Sequence, residues 1–200
     1  MSNNKVTKEG EYSITKHTAD LDGKIRLNSD EFKSIVRIAK DAFGPSMSDD
    51  EVEKVVIPST SLWIASKGGV DIGFTAATQK QNEFYLAAAA IIKKERGKGL
   101  YSIFNRLRLN EGLDKNFSVF TTRTQNPNVE RGITVALESL KTEHCIEGYA
   151  IKHDIIPGVY GRLLTEKVQK SPYENITQIF SALNYERGDA FYITFSVTRK

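Results

Sequence analysis

The sequence predicts a mixed α/β fold: one sheet of about six to seven strands flanked by helices, with an antiparallel first half and one parallel crossover. Three observations carry that class. The strand-like segments "SLWIAS" from Ser61, "VDIGFTAA" from Val70 and "EFYLAAAAII" from Glu83 are separated only by the short polar turns "KGG" and "KQN", so an antiparallel meander is the simplest arrangement. From Glu83 to Thr124 a strand, a glycine-containing turn, an amphipathic helix and a second strand follow in order, which defines a right-handed crossover between parallel strands. No repeat, low-complexity tract or Pro/Gly/Ser-rich linker interrupts the 200 residues, which are therefore read as a single domain, 1–200.

The remaining elements follow from local signals. A first strand is expected near Tyr12 to His17. Asn28 or Ser29 can cap a helix, with Glu31 answering Asn28 in a capping box; Phe32, Ile35, Val36, Ala39 and Phe43 share one face, and Gly44–Pro45 stops it. Ser48 and Glu51 have the same box spacing before a short helix that ends ahead of Pro58. In the crossover helix, Leu100, Ile103, Phe104 and Leu107 face inward while Arg106 and Arg108 point to solvent; "FSVFTTRT" from Phe117 is the following strand. Asn126 and Pro127 open a helix with Val129, Ile133, Ala136 or Leu137, and Leu140 at helical spacing. "CIEGYAIKH" and "DAFYITFSV" are strands. Between them "SPYENITQIFSALN" reads as a helix capped by Ser171, with Pro172 first, Glu174 closing the box, and Ile176, Ile179, Phe180 and Leu183 inward.

Composition narrows the function classes without choosing one. A net charge of +3 is modest for a nucleic-acid binder, and the cations at 93–98 lack the interleaved aromatics of a base-stacking surface, so no nucleic-acid partner is expected. Cys145 is the only cysteine, which excludes an internal disulfide and is read as a buried or inert thiol. The polar start "MSNNKVTKEGEYSITKHTADLDGK" lacks the apolar core of a signal peptide, and Leu86 to Ile92 is too short to span a bilayer. A cytoplasmic location with no membrane partner is the resulting expectation. His17, His144 and His153 show no metal-ligand spacing, so no metal is expected.

The stretch "YLAAAAIIKKERGKGLYSIF" carries the chemistry. Gly97 and Gly99 permit torsions closed to other residues and leave no side chain to hold a ligand off the backbone amides. The helix that starts near Gly99 adds unsatisfied N–H groups and the positive end of its dipole, an arrangement suited to a diphosphate. It is neither a Walker loop nor a GxGxxG dinucleotide turn.

At these residues the chain resembles the GNAT superfamily of acetyl-coenzyme A dependent N-acyltransferases. The family's phosphate loop, R/Q-x-x-G-x-G/A, is matched by "RGKGLY" at Arg96 to Tyr101 in the Arg and the first Gly; Tyr101 departs from the last position. The family's order of elements fits from about Tyr12 to Gln125. The resemblance implies that acetyl-coenzyme A is the cofactor, with the diphosphate on Arg96, Gly97, Lys98, Gly99, Leu100, Tyr101 and Ser102. It implies too that the pantetheine arm lies on backbone groups of Ile91, Ile92 and Lys93. Small side chains at Ala87 to Ala90 would then leave room for the arm, or else serve only a closely packed helix.

Acyl transfer to an amine needs the neutral amine, whose reference pKa is about 10.4, so a base is useful. Glu83, at the start of the strand before the loop, stands where some members of the family place a catalytic glutamate; its alternative is a charged strand end. The family's usual acid, a Tyr on the helix after the next strand, is missing, leaving Tyr149 or Tyr160 as candidates. Asn126, which the resemblance places at the cofactor, is also a plain helix cap. Residues Pro157 to Asn184 replace the family's tight hairpin and either form one wall of the acceptor site or cover the sheet. Asp49, Asp50, Glu51 and Glu53 either attract a cationic amine or stabilise their helix start. The expected function is an N-acetyltransferase acting on a small-molecule or peptide amine by direct attack in a ternary complex, with a homodimer left open. The alternative is a non-catalytic coenzyme A sensor on the same scaffold.

Overall fold

The computed structural model describes residues 5–165 and 167–200. It contains eight strands and five α-helices in these residues, and the strands are hydrogen-bonded in the order β1-β2-β3-β4-β5-β6-β8-β7 as one mixed sheet. The chain divides into two compact units, one running up to Gln79 and resuming at Leu86–Phe104, the other comprising Lys80–Tyr85 and Asn105–Lys200.

In the first unit β1 (Lys5–Glu9) and β2 (Tyr12–Thr18) form a hairpin, and β2 continues antiparallel to β3 (Ser61–Lys67), which pairs antiparallel with β4 (Val70–Gln79). The sequence reading missed β1 because "KVTKE" is polar on both faces, and no apolar alternation marks it. α1 (Ser29–Phe43) has the expected Asn28–Glu31 capping box and ends at Gly44; it buries Ile35, Val36, Ile38, Ala39 and Ala42, while Phe32 and Phe43 are only half-buried. α2 (Asp49–Val56) carries the Ser48–Glu51 box and stops at Ile57, before Pro58. Here Asp49, Asp50 and Glu51 occupy the first turn, where their charge offsets the helix dipole.

The second unit is organised by β6 (Val119–Thr124). β6 pairs in parallel with β5 (Phe84–Ile91) through Phe84↔Phe120 and Tyr85↔Thr121, and antiparallel with β8 (Ala190–Arg199), which pairs in turn with β7 (Ile146–Ile156). The last strand therefore inserts between its two predecessors. α3 (Leu100–Asp114) connects β5 to β6 and is buried more completely than an amphipathic reading implies. Arg108, read as solvent-facing, is 2% exposed and donates to the Asn105 side chain; Arg106 is half-exposed and makes a two-pronged ion pair with Glu143. A Cβ on Gly112 would lie 2.3 Å from the Phe120 ring, so only glycine lets α3 approach the sheet this closely.

α4 (Pro127–Thr142) starts at Asn126 as expected and buries Ile133, Ala136, Leu137 and Leu140. α5 (Glu174–Phe180) is shorter than its sequence suggests: Tyr173, not Ser171, is the N-cap, and Ser171 instead exchanges two hydrogen bonds with Thr177 and accepts one from the Tyr173 amide. Ile176, Phe180 and Leu183 are buried, whereas Ile179, expected inside, is exposed. Cys145 is exposed, which corrects the buried alternative. No helix among the described residues is long and apolar enough to cross a membrane.

Candidate functional site

The first unit holds the cationic turn. After β5 the chain makes one 3₁₀ turn, Lys93–Glu95, then passes through Gly97 at φ +78° and Gly99 at φ +89° into α3. Both glycines face open space, with no atom within 4 Å of an added Cβ. Among the described residues the N–H groups of Gly97, Lys98, Gly99 and Leu100 have no hydrogen-bond partner; the turn is closed instead by the Gly99 carbonyl, which accepts from Ser102 and Ile103. Four consecutive free amides at the start of a fifteen-residue helix form an anion cradle of the type the spacing predicts.

The side chains around the turn brace it. Arg96 donates to the carbonyls of Ile91 (3.1 Å) and Ala42 (2.7 Å), which ties the turn to β5 and to the end of α1. Lys98 pairs with the buried Glu95 at 3.1 Å, and Lys67 reaches the same carboxylate at 3.7 Å. The main chain just before the turn is engaged too: Ile92 donates to Ile72 and accepts from Glu95, and the Lys93 amide donates to Asp41 at 2.5 Å. Thus Ile91, Ile92 and Lys93 already spend several of the groups that the resemblance assigns to a pantetheine arm. Leu100 is buried, Tyr101 half-buried and Ser102 exposed. Upstream, Ala87, Ala88 and Ala89 are half-buried and Ala90 is buried.

The second unit gathers a different set. Tyr192 donates to Glu83 at 2.6 Å, and its hydroxyl also meets that of Thr121 at 3.1 Å. The Tyr85 and Tyr192 rings stack with centroids 6.4 Å apart and planes within 10°. Lys80, in the turn before β5, puts its ammonium 2.6 Å from Glu83 Oε1 and 4.2 Å from the Tyr85 centroid. Burial alone pushes the Glu83 carboxyl up, but Lys80 and Tyr192 outweigh it and hold the group below its ordinary value. Burial raises the Tyr85 and Tyr192 phenols, Tyr192 further through Glu83. Arg123 faces the same way, its guanidinium 4.8 Å from the Tyr160 centroid, and the Tyr160 hydroxyl donates to the Arg123 carbonyl at 3.1 Å.

Strand alternation sorts the tyrosines. Tyr149 is paired with Val197, five residues from Tyr192 on β8, and therefore lies on the opposite face of the sheet. Its hydroxyl donates to Glu138 of α4 at 2.6 Å, and burial together with that carboxylate drives its pKa upward. The structure thus separates Tyr149 from Glu83, the two residues expected to act together. Asn126 is the cap, its side chain accepting from the Asn128 amide at 3.0 Å. Sequence reasoning missed Lys80, Thr121 and Tyr192. The alternation in "FYITFSV", with Phe191, Ile193, Phe195 and Val197 against Tyr192, Thr194 and Ser196, was the signal that could have found Tyr192.

Gly158, Arg162, Leu164 and Asn184 are pinned where β6 ends. The buried Gln125 side chain donates to the carbonyls of Arg162 and Asp189, both at 3.0 Å, and accepts from the Leu164 amide. Asp189, also buried, accepts from the amides of Gly158 and Asn184 and from Arg187, which hold its carboxyl far below the ordinary range.

No family model and no curated protein sequence matches the chain. Solved structures do. The ribosomal-protein-S18-alanine N-acetyltransferase from Escherichia coli superposes with a TM-score of 0.57 at 12% identity, covering 94% of this chain and 95% of its own. An aminoglycoside 6'-acetyltransferase type Ii gives 0.56 at 13% identity over 92% and 98%. A GNAT family acetyltransferase from Elizabethkingia anophelis with acetyl-CoA bound gives 0.54 at 15% identity over 94% and 99%. The chain has the GNAT fold, with eight strands where six to seven were expected.

Proposed function

We propose that this protein is an N-acetyltransferase that binds acetyl-coenzyme A through the turn at 96–102 and transfers its acetyl group to an amine. The single observation that carries the reading is the run of four unpartnered amides from Gly97 to Leu100, set under two open glycines at a helix N-terminus in a GNAT fold. A diphosphate supplies the acceptors these donors lack. A fold shared with several acetyltransferases supports the same cofactor.

In the proposed reaction the neutral amine nitrogen attacks the thioester carbonyl, the carbon–sulfur bond breaks, and the coenzyme departs as a thiol. Glu83 takes the proton from the ammonium. Tyr192 holds one carboxylate oxygen at 2.6 Å and so fixes its orientation. Tyr85 is the proton source for the leaving sulfur, since its hydroxyl has no partner among the described residues and the Tyr149 hydroxyl is committed to Glu138. The Tyr85 phenolate then takes the second proton, which the nitrogen sheds as the amide forms. Direct attack in a ternary complex needs no protein nucleophile, and the exposed Cys145 on the edge of β7 is not assigned one. The acceptor is a small molecule or a peptide amine and the location cytoplasmic.

The test has two stages. Acetyl-coenzyme A at saturation should raise the melting temperature, because a ligand that binds only the folded state stabilises it; no shift rejects cofactor binding. Thiol release across a panel of amines then separates the enzyme from a coenzyme A sensor. The sensor reading is favoured by one observation, the ion pair that Glu83 already makes with Lys80.

A further inference from the structure

That ion pair has the form of a bound substrate. The Lys80 ammonium sits 2.6 Å from Glu83, 3.5 Å from the Tyr192 hydroxyl, and 4.2 and 5.8 Å from the Tyr85 and Tyr192 ring centroids. A carboxylate acceptor, a hydroxyl and two stacked π-faces are the parts that recognise an alkylammonium ion. The walls and the occupant are built differently. Tyr85, Thr121 and Tyr192 belong to strands β5, β6 and β8, and Thr121 is fully buried, with Glu83 immediately preceding β5. Lys80, by contrast, lies in the exposed turn 80–82, and its side chain is 43% exposed, so rotation about its own bonds suffices to withdraw it.

We propose that Glu83, Tyr85, Tyr192 and Thr121 form a site for a primary aliphatic ammonium group, that Lys80 fills it in the resting protein, and that the amine acceptor enters by displacing Lys80. The inference deepens the N-acetyltransferase reading and rests on it for the word acceptor; the ammonium site itself does not. Once Lys80 leaves, the incoming ammonium is the proton donor that Glu83 faces. The other charged groups on this face of β6 and β7 are Arg123 and Asp154, each in register with Tyr192, and Lys152, which pairs with Asp154. Arg123 repels a second cation nearby, which favours acceptors whose neighbouring group is neutral or anionic over diamines.

The probe is n-butylamine, the Lys80 side chain cut free, titrated at neutral pH without any coenzyme while the ring resonances of Tyr85 and Tyr192 are followed. In Lys80→Ala it should bind about tenfold more tightly than in the wild type, the worth of one charge-assisted hydrogen bond with a cation–π contact removed as competitor. Tetramethylammonium, which has no N–H to donate, should bind more weakly, and adding Glu83→Gln should abolish butylamine binding. Equal affinity in wild type and Lys80→Ala, or affinity indifferent to Glu83→Gln, overturns the proposal. Lys80→Met, which keeps the stem, repeats the comparison if the alanine variant melts early. Butylamine binding without thiol release from acetyl-coenzyme A in any variant would leave the ammonium site standing and remove the transferase reading; thiol release without butylamine binding would do the reverse.

Discussion

His17 shows what one buried side chain does to the whole molecule's response to acid. It is 2% exposed on β2, its Nε2 lies 3.6 Å from Glu31, and burial lowers its pKa despite the pull of Glu31 and Asp71. A histidine held neutral in the fold takes up its proton more readily when unfolded. Stability from this group is therefore complete above its ordinary value of 6.5 and is lost as pH falls below it. Chemical denaturation of His17→Gln between pH 7 and 5 should show a shallower decline than the wild type. Glu83 has the same sign with a carboxylate's window: its depressed pKa makes its contribution present above its ordinary 4.5 and lost below. In turnover, Glu83→Gln should remove the acid limb from the pH–rate profile of the proposed reaction; an unchanged profile would take Glu83 out of the mechanism. At the turn, Gly97→Val and Gly99→Val each force a β-branched residue to positive φ, at about 1–2 kcal/mol by the usual left-handed penalty. Both should melt somewhat earlier and lose the melting shift with acetyl-coenzyme A, since the new side chain stands over the free amides.

Among the elements, α3 shows where helix propensity yields to packing. Gly112→Ala gains about 1 kcal/mol of propensity in a helix interior, yet its Cβ would meet the Phe120 ring at 2.3 Å and Phe84 at 3.0 Å. Overpacking of that kind costs about 1–3 kcal/mol, so we expect net destabilisation, measurable by urea titration. Helix starts were legible in the sequence because caps are local chemistry: Asn28, Ser48 and Asn126 all cap as read. Ser171 failed because Thr177 reached back to bond both its main-chain groups, a contact that the box pattern does not encode. Arg108 failed for a related reason. Helical spacing sets it beside Asn105, but only the packing of α3 decides that the neighbouring surface is protein and not water. The site divided along the same line. The anion turn is contiguous in sequence and could be read there, whereas the Glu83 cluster collects residues from 80 to 192 and depends on β8 entering between β6 and β7.

At the scale of the molecule, the class of fold was written in the order of elements, and the parallel pairing of β5 with β6 follows from the crossover between them. The place of the last strand was not, because pairing between residues as far apart as Thr121 and Thr194 leaves no mark in the local pattern. Ligand linkage is the property that tests the whole chain at once. At a hundredfold excess over its dissociation constant a ligand adds about 2.7 kcal/mol, which for a protein of this size corresponds to a rise of about 5–10 °C.

The bracing of the turn has a consequence for how tightly it should hold a ligand as the buffer changes. Arg96 is bound to two carbonyls and Lys98 to Glu95, so two of the turn's cations are already engaged, and more of the grip falls to uncharged peptide dipoles. Mobile ions screen full charges over about 10 Å at 0.1 M but hardly weaken donors in direct contact. Affinity for the coenzyme should thus decline only gently with added sodium chloride, far less than for a site made from free lysines.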